Sequence, residues 1–140
     1  MVMEIQTAAT WAMVGVIWFV QAVHYPAYRH VGAEAFVCYQ TESTRRTAWV
    51  VFPLMMTELA GACWWAWRAF EHVEGRIWAW PGLALIGMIW ISTAFVQVPL
   101  HARLEGWWDG VAIERLIRSN WLRTIPWTMR GVGLFLWWIV

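Results

Sequence analysis

Four apolar stretches make up most of this chain, and each approaches the roughly 20 residues that a helix needs to cross a bilayer. They run from about Thr7 to Tyr25, Trp49 to Phe70, Ile77 to Leu100 and Trp121 to Val140. Of the 140 residues, 61% are hydrophobic and 14% charged. A soluble domain carries about 25% charged residues, and one this small has too little interior to hide such an apolar surface. Composition therefore argues against a soluble enzyme and a disordered chain. A net charge of +1 gives no bulk attraction for nucleic acid.

The runs are too long and continuous for spanning strands, whereas helices satisfy their own backbone in lipid. The expected fold is all-α: a polytopic membrane four-helix bundle forming one transmembrane domain over residues 1–140. The first stretch does not read as a cleavable signal peptide, because Glu4 and no basic residue precedes it and no small-x-small site follows. Pro53 and Pro126 are expected in the first turns of spans two and four, where a missing N–H costs least. Pro99 is expected to kink or end span three.

The basic residues are all Arg, and they set the orientation. Arg29, Arg45, Arg46, Arg103, Arg115, Arg118 and Arg123 belong to the two long loops and their flanks, against Arg68 and Arg76 on the other side. That excess predicts long loops in the cytoplasm and both termini outside. Phe36, Val37 and Tyr39 in one loop, and Ile113, Leu116 and Ile117 in the other, predict short helices lying at the membrane surface. Most of the 15 Trp, among them Trp49, Trp65, Trp67, Trp107 and Trp121, fall near span ends, as interfacial anchors do. Cys38 in a loop and Cys63 deep in span two are too far apart for a disulfide and read as packing thiols. No spacing suits a bound metal.

The chain also looks doubled. Phe19-Val20-Gln21 recurs as Phe95-Val96-Gln97, His24 matches His101, and Arg46-Thr47 matches Arg123-Thr124, at offsets of 76 or 77. The pairs Pro26/Pro99 and Pro53/Pro126 match at 73. Two duplicated helical hairpins related by a pseudo-twofold axis along the membrane normal would follow.

A polar group in hydrocarbon is costly and needs a reason. Gln21 and His24 share a face of span one, and Gln97 and His101 share a face of span three. In span four Asn120, Arg123, Trp127 and Arg130 form one stripe. Span two supplies Glu58, at a depth where it can meet Arg130, and an unpaired buried charge of either kind is too costly to expect. His30 and His72 fall in loops and read as solvated.

Three readings of this constellation stand side by side. In the first, a polar-headed pocket in the cytoplasmic half binds a hydrophobic small molecule through a carboxylate, phenolate or quinone oxygen. Gln21, Gln97, Asn120, Arg123, Trp127, Arg130 and Glu58 would bind it, and His24 or His101 would act as general base, leaving catalysis open. In the second, the polar groups only tie helices together, and the chain is an accessory subunit of a larger membrane complex or a homo-oligomer. In the third, His24 and His101 ligate haem b.

The segment Gln97-Val98-Pro99-Leu100-His101, with Leu104 and then Asn120-Trp121-x-Arg123-Thr124, resembles small four-helix bacterial membrane proteins of the anthrone oxygenase-like family. The resemblance covers roughly the last 45 residues well and the first half weakly. It departs at His101, where the family pattern has Asn. It implies a multi-pass protein of the bacterial inner membrane, with Asn120 and Arg123 lining a site for cofactor-free oxidation of polycyclic phenols.

Overall fold

A computed structural model describes residues 1–70 and 75–139. His72 and Val140 lie outside the described residues. Four long helices form a bundle: α1 Val2–His30, α2 Ala33–Arg68, α3 Arg76–Gly106 and α5 Trp121–Ile139. A short helix, α4 Gly110–Ser119, precedes α5. Helix α1 packs against α2 and α5, and α3 closes the ring by packing against the same two. Neighbours run antiparallel, as short connections require: Gln6 lies against Gly61 while His24 reaches Ser43.

Three helices, α1, α2 and α3, are long and apolar enough to cross a membrane. The fourth, α5, is 19 residues long but carries Arg123 and Arg130, both turned inward and buried. Its outer face, with Leu122, Ile125, Met129 and Phe135 exposed, is apolar. Exposed Trp side chains include Trp49, Trp67 and Trp121. Trp65 differs from the interfacial expectation and is a core residue, whereas Trp127 is buried as its place on the inward stripe of span four predicts.

The first long loop is replaced by helix. Val31 and Gly32 alone separate α1 from α2, so Phe36 opens α2 and does not lie on the membrane surface. Phe36 is fully buried, packed edge-on against Tyr28. At 1.5 Å per residue, the 36 residues of α2 extend about 54 Å, well beyond a hydrocarbon core of roughly 30 Å. Its first turns therefore project at the charged end of the bundle, where Arg29 pairs with Glu114 and Arg103 with Asp109. The hydrogen bond from Arg29 holds the Glu114 carboxyl below the ordinary range, and the N–H of Ala112, with Arg103 contributing less, does the same for Asp109. Cys38 accordingly sits on a helix, and both thiols are exposed, not packed.

Helix α4 is the expected amphipathic segment. Asp109 caps it by accepting from the N–H groups of Val111 and Ala112. Its apolar face, Ala112, Ile113 and Leu116, is buried against the main core with Tyr28, Phe36 and Leu104.

The prolines act differently from expectation. Pro53 and Pro126 lie inside α2 and α5, not in their first turns. Pro99 does not end α3, which continues to Gly106. Instead, Tyr25 N–H bonds to the Val20 carbonyl and Val98 N–H to the Thr93 carbonyl, each five residues back. These are π turns, one residue ahead of Pro26 and Pro99. A proline removes one N–H and its ring crowds the preceding turn, and widening that turn relieves the collision. The two π turns, Val20–His24 and Thr93–Gln97, recur at the same offset of 73 as the proline pairs.

Candidate functional site

The π turn of α1 sets the site, as such turns often do. It buries Gln21 and Tyr25 and leaves His24 half-exposed at the edge of the α1–α2 seam. Opposite, α3 presents His101, α5 presents Arg123 and Trp127, and α2 presents Thr44, Thr47, Ala48 and Val51. Together with Met13, Val16, Ile17 and Val20 these line a cavity of about 140 Å³. Its deep walls are aliphatic. Its head is polar and aromatic.

The Tyr25 hydroxyl is the junction of the polar head. It lies 2.9 Å from Nε2 of His101 and accepts from Arg123 at 3.1 Å. Nδ1 of His101 faces Gln40 at 2.7 Å and Thr44 at 3.4 Å. With the Gln40 amide donating to Nδ1, the imidazole carries its proton on Nε2 and the Tyr25 proton turns to the cavity. With the amide turned over, Nδ1 donates and Tyr25 donates to Nε2. The two arrangements differ only in the His101 tautomer and in the orientation of the Tyr25 hydroxyl and the Gln40 amide, and no helix need move between them. His24 sits apart, its Nε2 3.1 Å from both Tyr28 and Ser43 hydroxyls.

Arg123 carries the decisive electrostatic feature. It is buried, and its hydrogen bonds go to neutral groups: Nε and Nη2 donate to Asn120 Oδ1 at 3.1 and 2.6 Å, and Nη2 also donates to Tyr25. No carboxylate lines the cavity, and among the described residues Arg123 has no ion-pair partner. Asn120 is positioned in turn by donating to Gln21 at 3.0 Å, and Gln21 donates to the Ile117 carbonyl.

Glu58 and Arg130 belong to a second, deeper centre. Arg130 Nε stands 3.6 Å from Glu58 Oε1, and both residues are 2% exposed. Trp127 donates its indole N–H to Glu58 Oε2 at 2.8 Å, while Arg130 donates to the Gly82 carbonyl and to Gln6 Oε1, each at 3.2 Å. One residue or more from each long helix meets here. Glycine makes the room: a Cβ on Gly82 would lie 2.9 Å from Arg130 Nη1, and one on Gly61 would lie 2.7 Å from Gln6 Cβ.

Of the residues singled out from the sequence, His24, His101, Arg123 and Trp127 line the cavity. Asn120 and Gln21 stand behind Arg123. Gln97 donates to the carbonyl of Ser119 and ties α3 to the end of α4. Glu58 and Arg130 face each other below the cavity, with Trp127 linking the two levels. Sequence reasoning missed Tyr25, Tyr28, Gln40, Ser43, Thr44 and Thr47. The spacing Gln40, Thr44, Thr47 marks one polar helical stripe, legible only once that segment is read as helix.

Comparison with family models, with curated proteins and with solved structures finds no match for this chain.

Proposed function

We propose that this protein binds a lipid-soluble phenol or quinone-like molecule in the cavity headed by Tyr25, His101 and Arg123. One observation carries the reading: a buried guanidinium without a counter-ion, at the polar end of an otherwise apolar cavity. An uncompensated buried charge costs several kcal/mol, and an acidic oxygen on a ligand offsets that cost where no side chain does. The Tyr25 hydroxyl, backed by His101, adds a donor for the same oxygen. A volume near 140 Å³ matches the engineered cavities of about 150 Å³ that admit benzene. One ring fits; a polycyclic phenol of the kind implied by the anthrone oxygenase-like resemblance needs the cavity to expand. The Tyr25 hydroxyl, hydrogen-bonded to His101 behind it, can exchange a proton with the ring oxygen, so catalysis is a natural extension of binding.

The arginine-rich end, which holds the cavity, is assigned to the cytoplasmic side of a bacterial inner membrane, with both termini opposite. The haem reading does not fit these residues. Both ring nitrogens of His101 are engaged by Tyr25 and Gln40, leaving none for iron, and a tetrapyrrole is far larger than the cavity.

The test is mass spectrometry of the organic extract of purified protein, wild type against Arg123→Leu. A phenolic or quinone compound, stoichiometric in the wild type and lost in the variant, is the expected result. Bulk lipid alone in both refutes the reading.

A further inference from the structure

Resting on the binding reading above, the geometry points to a ligand with a linear tail: a single-ring phenol or quinol whose alkyl chain leaves the cavity between α1 and α2 and lies in the bilayer.

The cavity is closed toward the charged end. Tyr28, Phe36, Leu104, Ile113 and Leu116 are all fully buried above it, in one packed cluster under α4. Gln40 is likewise fully buried. A ligand therefore has no open path from the aqueous side through that cap. The α1–α2 seam is different. His24, Thr44 and Thr47 are half-buried there and Ala48 is exposed.

A second hollow of about 230 Å³ lies on the outside of the same seam. It shares Val16, Val20, His24, Thr47 and Val51 with the cavity and adds Phe19 and Val50. Phe19 is 58% and Val50 55% exposed, and both lie on helices apolar enough to cross a membrane. The two spaces are thus neighbours through a shared wall, one headed by Arg123 and the other facing lipid. The cavity alone has room for a ring and none for a chain. The outer hollow is lined by aliphatic side chains and the Phe19 ring, with His24 and Thr47 at its edge. An amphiphile fits both, with its ionised oxygen at Arg123 and its tail in the slot. Such a molecule partitions into the leaflet and arrives sideways, so it never crosses the sealed cap.

The experiment uses the full chain in lipid nanodiscs and two probes that share a head: 4-ethylphenol, and 4-dodecylphenol counted as its mole fraction in the lipid. Val50→Trp covers the outer hollow without entering the ring cavity, and Phe19→Ala widens it. Binding is read by competition, with thermal midpoints checking that each variant is folded. Val50→Trp is expected to weaken 4-dodecylphenol at least tenfold while 4-ethylphenol stays within twofold, and Phe19→Ala is expected to keep both. Equal binding of 4-dodecylphenol by Val50→Trp and wild type overturns the slot. An equal loss of both probes overturns it too, because Val50 would then belong to the ring's own site. Wild type that binds neither probe refutes the cavity reading itself, a distinct outcome.

Discussion

Glu58→Gln tests the deeper polar centre most sharply. The substitution keeps side-chain volume, and the new amide oxygen can still accept the Trp127 indole N–H now given to Glu58 at 2.8 Å. Arg130 keeps Gly82 and Gln6 as acceptors. What disappears is the counter-charge 3.6 Å from Arg130 Nε. With an effective dielectric near 20, that separation corresponds to about 4–5 kcal/mol. Removing one partner of a buried pair typically costs about 3–5 kcal/mol. The expected loss is therefore about 3–4 kcal/mol, read by SDS-driven unfolding in mixed micelles through the Trp fluorescence. Arg130→Met should cost a similar amount, since it strands Glu58. The double variant should lose less than the sum of the two by about 2–3 kcal/mol, because neither charge is then left alone. A Glu58→Gln cost below about 1 kcal/mol, or strict additivity, would refute the assignment of these residues to a buried ion pair.

Three further outcomes follow from named contacts. Arg123→Met should change ligand-free stability by less than about 2 kcal/mol, because removal of an uncompensated charge offsets the lost hydrogen bonds to Asn120 and Tyr25, while ligand recovery falls at least tenfold; a larger stability loss would assign Arg123 to packing instead. Gly82→Ala and Gly61→Ala should each cost about 1–3 kcal/mol by overpacking against Arg130 and Gln6. Gly87→Ala meets nothing within 4 Å and should gain about 0.5–1 kcal/mol of helix propensity; equal effects at all three positions would contradict the packing described. Asp109 has its carboxyl pKa depressed by the Ala112 N–H and by Arg103, so its capping is present above the unfolded carboxyl pKa, about 3.9, and lost as pH falls through the lower folded value. Hydrogen exchange at Val111 and Ala112 should accelerate below that point, and Asp109→Ala should show the fast exchange at every pH.

The number of helices, their order and the inward stripe of α5 were legible from hydropathy and 3.6-residue spacing alone. Gln21, His24, Gln97, His101 and Arg123 stood out because polar groups in apolar runs are few. Glu58 and Arg130 were matched by depth, and they do meet. The π turns were not legible, because a proline in a helical pattern reads as a kink or an end, and which carbonyl the chain bonds instead depends on its neighbours. Reading 26–48 as loop hid Gln40, Thr44 and Thr47: the segment is rich in polar residues, and its helix is held by tertiary contacts of Phe36 and Gln40 rather than by a long apolar face. Gln6 was missed because it precedes the expected start of span one, and only the space left by Gly61 shows that it is buried.

In the proposed function, Arg123 and its neighbours favour an anionic oxygen in the cavity. Spectrophotometric titration of 4-nitrophenol with the purified protein tests it directly, because the phenol and phenolate absorb at different wavelengths. A cation at the binding site stabilises the charged form, so bound 4-nitrophenol should ionise at a lower pH than the free compound, and Arg123→Met should abolish the difference. Preferential binding of the neutral phenol, or a shift that survives Arg123→Met, would contradict the account.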